Sequence, residues 1–137
     1  MQVKDAMTRH VTTVPPTMSV LTALRLMHRD GIRHLPVVDE DQTLVGIVSD
    51  RDLTPATRTA PSTSVRERVV RQLMTTPVRW ARPEDDLVAA TRQMLAWHIS
   101  ALPVVEHSQV VGILTTTDCL HAMLRMADDQ ASASRTG

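Results

Sequence analysis

Two short segments of the chain place a hydroxyl three residues before an aspartate, directly after an apolar run that contains a glycine. They are Gly46-Ile47-Val48-Ser49-Asp50-Arg51-Asp52 and Gly112-Ile113-Leu114-Thr115-Thr116-Thr117-Asp118. At the start of a helix, residues three apart project to the same side. The carboxylate can then accept hydrogen bonds from both hydroxyls of one ribose, while the hydroxyl and the first-turn amides face a phosphate. The glycine permits close approach of a backbone. This chemistry suits a nucleotide.

The same residues also have a purely structural interpretation. Ser49 and Thr115 would be helix N-caps, and Asp52 and Asp118 would be acids of the first helical turn. Recurrence of the spacing within a repeat weakens this interpretation, but a duplication copies caps as well as binding sites. Both interpretations therefore stay open.

The two segments belong to an internal repeat. Residues 7–53 align with 74–119 at an offset of 67, which becomes 66 after one deletion in the turn at 39–43. Sixteen positions are identical in matching order. The identical runs include Met-Thr at 7–8 and 74–75, Leu-Pro-Val-Val at 35–38 and 102–105, and Val-Gly-Ile at 45–47 and 111–113. Composition alone does not give this agreement, so the chain contains a duplicated unit.

Each copy predicts the same series of elements. An extended segment (11–14; 78–81) leads to a helix with Ser19 or Asp86 as N-cap, and two strands follow (35–38 and 44–48; 102–105 and 110–114). Gly31 ends the first helix in a left-handed conformation, and His98 at the matching position gives a weaker end. Each copy closes with a helix. In copy one it starts near Asp52 and is cut short by Pro55, and in copy two it starts near Asp118 and runs through Met126.

These elements predict a fold of the α/β (α+β) class. We expect repeat 1 at 1–53, a linker rich in Thr, Pro and Ala at 54–63, repeat 2 at 64–126 and a disordered tail at 127–137. The core must be aliphatic, because Phe and Tyr are absent and Trp occurs twice.

Charge and hydropathy argue against several classes of partner. Fifteen basic and fifteen acidic side chains cancel, so no global field attracts nucleic acid or an anionic membrane. No stretch approaches the ~18 apolar residues that a membrane span needs, and the first ten residues lack the apolar core of a signal peptide. We expect a cytoplasmic protein.

Catalytic and metal motifs are missing as well. The six histidines form no His-x-x-x-His pair, and no nucleophile is matched with a base, so we expect neither a metal site nor an enzyme. Cys119 is the single cysteine and is expected to be a small buried hydrophobe. The acidic run Asp39-Glu40-Asp41 is expected to be a solvated turn.

Residues 10–53 and 77–120 resemble a pair of cystathionine-β-synthase-type (CBS) domains, most specifically in HLPVV…GIVSDRDL and ALPVV…GILTTTD. The resemblance covers roughly residues 3–125. It implies tandem βαββα repeats packed through their sheets with pseudo-two-fold symmetry, with clefts that bind AMP, ADP or ATP and without catalysis. It also implies a stand-alone regulatory (Bateman) module that forms homodimers and signals to an unknown effector. S-adenosylmethionine, NAD and cyclic di-AMP are further candidate ligands.

By position, the resemblance places Ser49 and Asp52 on the phosphate and ribose in one cleft, and Thr115 and Asp118 in the other. Further residues that it places in the clefts are Thr13, Val14, Ile32, Arg33, His34, Trp80, Ala81, Ile99, Ser100 and Ala101.

The two implied sites differ in charge. Copy one offers Arg33, His34 and Arg51 near the phosphate, whereas copy two offers the neutral Ser100, Ala101 and Thr117. We therefore expect the site with Asp52 to be the better phosphate site. Two alternatives stay open for this copy: in the family each cleft also borrows residues from the other repeat, so Arg33 could serve the other site, and His34 is either a phosphate ligand or a solvated residue.

Trp80 stands where copy one has Thr13, and it either stacks on adenine or fills the pocket.

For the whole chain, the alternative to a nucleotide-sensing module is a scaffold that uses the same fold to dimerise or dock a partner with empty clefts.

Overall fold

The computed structural model describes residues 1–59 and 68–136. Its helices are α1 (Val3–Ala6), α2 (Val20–Asp30), α3 (Asp50–Thr59), α4 (Leu87–Trp97) and α5 (Thr116–Thr136), with a 3-10 turn at Val70–Gln72. Its strands are β1 (His34–Val38), β2 (Leu44–Ser49), β3 (Ala101–Glu106) and β4 (Gln109–Thr115). The mixed helix and strand class expected from the sequence is confirmed, and β1–β2 and β3–β4 form two small sheets.

The chain divides into two compact units, and neither of them is one continuous repeat. Unit 1 consists of Met1–Val11, Trp80–Glu106 and Val111–Gly137, and unit 2 consists of Thr12–Arg79 and His107–Val110. The segment that opens each repeat in the sequence thus belongs to the unit that holds the strands of the other copy. Repeat boundaries in the sequence and unit boundaries in space are therefore different properties of this chain.

Unit 2 is built on the antiparallel pair of β1 and β2, in which His34 lies opposite Ser49. Val14 extends the pair on one side through a parallel bridge to β1, and Thr75 extends it on the other through an antiparallel bridge to β2. Branched aliphatic side chains favour such strands and fill the core below them. The buried core of unit 2 contains Val14, Val20, Ala23, Met27, Leu35, Val37, Val48, Leu53 and Val70.

Unit 1 repeats this plan around β3 and β4. Ala81 bridges β3 in parallel, and Thr8 bridges β4 in antiparallel orientation. Val3 of α1 is completely buried in the core of this unit, so the first residues of the chain are part of its hydrophobic interior. The buried core contains Val3, Met7, Ala81, Leu87, Ala90, Met94, Leu102, Val104, Leu114 and Ala122.

The glycine of each second strand lies where another segment passes closely. A Cβ at Gly112 would lie 2.6 Å from Sδ of Met7 and 2.9 Å from the carbonyl oxygen of Thr8. A Cβ at Gly46 would lie 2.5 Å from Sδ of Met74 and 3.2 Å from the oxygen of Thr75. These glycines therefore admit a neighbouring protein segment next to the strand.

The helix boundaries follow the expected capping residues. Ser19 accepts a hydrogen bond from the amide of Thr22 at 3.1 Å, and Asp86 accepts one from the amide of Ala89 at 2.9 Å. Both helices end in the left-handed conformation, with φ of 65° at Gly31 and 56° at His98. The caps predicted from the sequence are confirmed, including a non-glycine residue at the second helix end.

Two expectations about the helix ends were wrong. Helix α3 passes through Pro55 and ends at Thr59, so residues 54–59 of the expected linker are helical, while 60–63 lie outside the described residues. Proline removes one intrahelical hydrogen bond, but the helix is held by the burial of Leu53 and Ala56 on either side of it.

Helix α5 also continues beyond Met126. It reaches Thr136, through residues 127–136 of the segment that was expected to be disordered. This part of the chain contains neither glycine nor proline before Gly137 and is rich in alanine, so nothing in it stops the helix that Thr116 begins.

Candidate functional site

Ser49 and Asp52 form a reciprocal cap at the start of α3 in unit 2. The amide of Ser49 donates to Oδ2 of Asp52 at 3.0 Å, and the amide of Asp52 donates to Oγ of Ser49 at 3.2 Å. Ser49 is the last residue of β2 and therefore the N-cap of the helix, and Asp52 is its third residue. This arrangement is a capping box with aspartate in place of the usual glutamate.

Unit 1 carries the same box at the start of α5. The amide of Thr115 donates to Oδ2 of Asp118 at 2.9 Å, and the amide of Asp118 donates to Oγ1 of Thr115 at 3.2 Å. The interpretation of both motifs as helix caps is therefore confirmed. The repeated spacing places the hydroxyl and the carboxylate side by side at both helix starts.

Capping leaves binding capacity at these groups. Each hydroxyl accepts a hydrogen bond from an amide, so its own proton is still available to donate to a phosphate oxygen. Within the described part of the chain, Oδ1 of Asp52 accepts no hydrogen bond, whereas Oδ2 serves the cap. A carboxylate in this state can still accept from a sugar hydroxyl.

Three residues with basic side chains lie close to Ser49 along the backbone of unit 2, namely Arg33, His34 and Arg51. The amide of Asp50 donates to the carbonyl oxygen of Arg33 at 2.9 Å, which fixes the start of α3 beside the residue before β1. The side chains of Arg33 and Arg51 are exposed, and His34 is half-buried opposite Ser49. The backbones of Arg33, His34, Ser49 and Arg51 are thus neighbours at the start of α3.

Burial lowers the pKa of His34 below its usual value. The carboxylates of Asp50 and Asp52 oppose this effect, and Arg33 adds to it. The effect of burial on the pKa is larger than that of the carboxylates, so the environment of the imidazole favours its neutral form. An anion bound next to it would raise the pKa of His34.

The matching corner of unit 1 has the same backbone geometry without the basic side chains. The amide of Thr116 donates to the carbonyl oxygen of Ser100 at 3.0 Å, as that of Asp50 does to Arg33. Ser100 and Thr117 are exposed, and Ala101 is buried. The difference in charge that the sequence predicts therefore lies at equivalent positions of the fold.

Asp118 has a further partner that the sequence reasoning missed. Oγ1 of Thr8 donates to the Asp118 carboxylate, at 3.2 Å from Oδ1 and 3.4 Å from Oδ2. Thr8 reaches this place because its backbone exchanges hydrogen bonds with Ile113 on β4. The repeat marks Thr8 and Thr75 as identical, but it does not show that the Thr8 hydroxyl contacts Asp118.

Val14 and Ala81, two of the predicted site residues, use their backbone amide and carbonyl groups for hydrogen bonds within the fold. Val14 is 1% exposed, and its backbone donates to Pro36 and accepts from Val38. Ala81 is 3% exposed, and its backbone is bonded in the same way to β3. Both residues shape the edge of the sheet. Of the others, Thr13, Ile32 and Ile99 are half-buried.

Trp80 is open to solvent, with 48% of its surface exposed. It lies one residue before the β3 bridge at Ala81 and is not part of the hydrophobic core of unit 1. The indole is therefore available to a planar partner, as the stacking interpretation requires.

Residues 1–59 and 68–136 contain neither a cluster of metal-ligating side chains nor a membrane-spanning helix. No group of three or more His, Cys, Asp or Glu side chains there is arranged to hold a metal ion. No helix in these residues is long and apolar enough to cross a membrane. Cys119 is half-buried against the core of unit 1 and accepts a weak hydrogen bond from Thr91 at 3.4 Å.

Comparison with known proteins gives matches along most of the chain. The family model of the CBS domain matches twice, at residues 3–57 and 70–125. Homoserine O-acetyltransferase of Methanococcoides burtonii is 38% identical over 117 residues, which is 85% of this chain and 23% of that protein. The chain thus spans about a quarter of the length of this relative.

Solved structures match over nearly their whole length. An acetoin utilization protein (AcuB) from Vibrio cholerae has a TM-score of 0.84 and 34% identity, covering 96% of both chains. CBSX2, a protein of Arabidopsis thaliana, was solved with AMP and matches with a TM-score of 0.78 and 33% identity, over 92% of this chain and 98% of that one. The domain pair of protein MJ0100, solved with 5′-methylthioadenosine and S-adenosyl-L-methionine, has a TM-score of 0.80 and 28% identity, over 90% and 95% of the chains.

Proposed function

The chain belongs to the CBS domain family as a pair of repeats, and from this premise we propose that it is a regulatory module that binds an adenosyl ligand of the AMP, ADP or ATP class. It performs no chemistry on the ligand. Binding changes the conformation and thereby signals to an effector protein in the cytoplasm.

The reciprocal cap of Ser49 and Asp52 is the observation that carries this proposal. It holds a carboxylate with an open acceptor oxygen next to a hydroxyl with an open proton. A ribose supplies hydroxyl donors and a phosphate supplies acceptors, so one nucleotide can satisfy both groups. The positive end of α3 adds a favourable field for the phosphate.

The charges of unit 2 favour a phosphorylated ligand over a nucleoside. Arg33 and Arg51 are exposed beside the cap, and His34 lies opposite Ser49. Hydrogen bonds between charged groups contribute about 1.5–3 kcal/mol each when they are partly shielded from water. We propose that the phosphate lies against these side chains, with His34 protonated when it is bound.

The neutral corner of unit 1 supports a second, weaker site. Thr115 and Asp118 repeat the cap, and Ser100 and Thr117 stand where the other copy has arginines. The exposed Trp80 gives this site a surface for adenine stacking, which contributes about 1–3 kcal/mol per base in proteins that stack bases on aromatic side chains. We propose that the two sites differ mainly in their affinity for phosphate.

Two of the solved relatives support the ligand class. CBSX2 was crystallised with AMP, and the MJ0100 pair with 5′-methylthioadenosine and S-adenosyl-L-methionine. All three ligands contain adenine and a ribose ring, the two parts that Trp80 and the aspartates would bind.

The proposal includes a homodimer that forms through unit 1. The large hydrophobic side chains that are exposed in the described residues all belong to this unit. On its helices they are Val88, Leu95, Leu120, Met123 and Leu124, exposed by 47–73%. Leu120, Met123 and Leu124 share one face of α5 because they are spaced by three and four residues. Exposed apolar helix faces of this kind are typical of protein interfaces.

The same apolar face favours a second candidate function, a scaffold that dimerises or docks a partner and binds no nucleotide. Isothermal titration calorimetry of the whole chain against AMP, ADP, ATP, S-adenosyl-L-methionine, NAD and cyclic di-AMP separates the two functions. We expect at least one adenosyl ligand to bind, with ATP bound more tightly than adenosine. Absence of heat and of a melting shift with all six ligands at millimolar concentration would leave the scaffold as the function.

A further inference from the structure

The two aspartates of the caps differ in the partners of their carboxylates. Asp118 accepts from the amide of Thr115 and from the hydroxyl of Thr8. Asp52 accepts from the amide of Ser49, and in the described residues no hydroxyl is bonded to it. The repeat offers Thr75 at the position that corresponds to Thr8, with the same backbone bridge to its strand. The difference therefore lies in the side-chain contact.

The position of the Thr8 hydroxyl matters because of the geometry of a carboxylate. Its oxygen lies at similar distances from Oδ1 and Oδ2, 3.2 and 3.4 Å, and thus on the open side between them. A vicinal diol such as the 2′- and 3′-hydroxyls of ribose needs this same side if each hydroxyl is to reach one oxygen. Thr8 and a diol bound through both hydroxyls therefore compete for Asp118.

We propose that Thr8 determines the specificity of the unit 1 site by holding the side of the Asp118 carboxylate that a ribose diol would need. This inference rests on the proposed function. The site with Asp52 recognises the diol through two hydroxyls, whereas the site with Asp118 recognises the sugar through one hydroxyl at most. Ligands that lack one of the two hydroxyls are then penalised in unit 2 and tolerated in unit 1.

The aspartate variants allow each site to be measured alone. Asp118→Ala leaves the Asp52 site, and Asp52→Ala leaves the Asp118 site. Calorimetric titration of both variants with AMP and with 2′-deoxy-AMP gives the preference of each site for the intact diol. We expect this preference to be about fivefold larger at the Asp52 site, the effect of roughly one hydrogen bond. Equal preferences at the two sites would overturn the proposal.

Changing Thr8 tests the cause directly. In the Asp52→Ala background, we expect Thr8→Val to raise the affinity for AMP about fivefold and to change that for 2′-deoxy-AMP much less. Thr8→Ser keeps a hydroxyl and should behave like threonine. Thr75→Val in the Asp118→Ala background is the matched control and should have no effect. Weaker AMP binding by Thr8→Val would instead show that the hydroxyl positions Asp118 for the ribose, and would overturn the proposal.

Two other results are distinguishable from this one. If the unmodified chain binds none of the adenosyl ligands, the proposed function fails and the inference fails with it. If Thr8→Val does not fold, as its melting curve would show, the comparison of AMP with 2′-deoxy-AMP on the two aspartate variants still decides the question without any change at Thr8.

Discussion

His34 and Ser49 lie directly opposite each other in the antiparallel β1–β2 pair of unit 2. Because Ser49 is also the N-cap of α3, this pairing places a titratable imidazole beside the helix start that is proposed to bind phosphate. Burial lowers the pKa of His34, although Asp50 and Asp52 pull it upward. The stability of unit 2 is thereby coupled to pH.

The first prediction concerns this coupling. Since the folded state disfavours the protonated imidazole, the unfolded chain binds more protons than the folded chain below about pH 6.5. We expect the free energy of unfolding to fall as the pH drops from about 6.5 through the lower pKa of folded His34. His34→Gln should remove this part of the fall. Urea denaturation at a series of pH values measures it, with His28→Gln on the exposed side of α2 as control. An identical pH profile for His34→Gln and the unmodified chain would contradict the prediction.

The second prediction concerns the two aspartates. Asp52→Ala should abolish the tighter binding of ATP, because it removes the ribose acceptor next to the basic side chains. Asp118→Ala should affect only the weaker event. Each change also removes a cap and should lower stability by about 0.5–2 kcal/mol. Asp52→Asn keeps an oxygen for the cap and separates the two effects. Titration with ATP and adenosine measures them, and loss of the phosphate-dependent event in Asp118→Ala alone would reverse the assignment.

The third prediction concerns the two helix ends with positive φ. His98 has a φ of 56°, a conformation that glycine adopts without cost and other residues do not. His98→Gly should therefore stabilise the protein, by about 1 kcal/mol. Gly31→Ala should destabilise it by a similar amount, because φ is 65° there. A Cβ at this position would meet no atom within 4 Å, so the cost comes from the backbone conformation alone. Thermal melting of both variants is the measurement, and a destabilised His98→Gly would show that the imidazole makes a stabilising contact.

The fourth prediction compares the two strand glycines. Alanine at Gly112 would bring its Cβ to 2.9 Å from the backbone oxygen of Thr8, while at Gly46 the nearest backbone oxygen is 3.2 Å away. A methionine side chain can move out of the way more easily than a strand backbone. We expect Gly112→Ala to cost about 2–3 kcal/mol and Gly46→Ala about 1 kcal/mol. Chemical denaturation measures the difference, and the reverse order would contradict the close approach at Thr8.

Features set by neighbouring residues were predictable from the sequence. Helix α2 begins after Ser19 and ends before Gly31, and helix α4 begins after Asp86, as expected. These boundaries were predictable because capping depends on residues within one helical turn. The hydroxyl and aspartate of each motif were found for the same reason. The spacing of three residues is what allows them to cap each other.

Features that depend on distant segments were not predictable in this way. Thr8 reaches Asp118 because the backbone next to Ile113 holds it there, and no local pattern contains that pairing. The persistence of α3 beyond Pro55 depends on tertiary burial of Leu53, which outweighs the local cost of proline.

The composition of unit 1 has a consequence for the order in which the molecule is made. Its core joins Val3 and Met7 to Leu102 and Leu114, so during synthesis these two side chains cannot be buried until residues 102–114 have been made. Until then Val3 and Met7 are without their native contacts. Closing so long a stretch of chain is slow and carries an entropic cost. A fragment that contains the second repeat alone would also lack this part of its interior, and residues 1–11 added in trans should restore it.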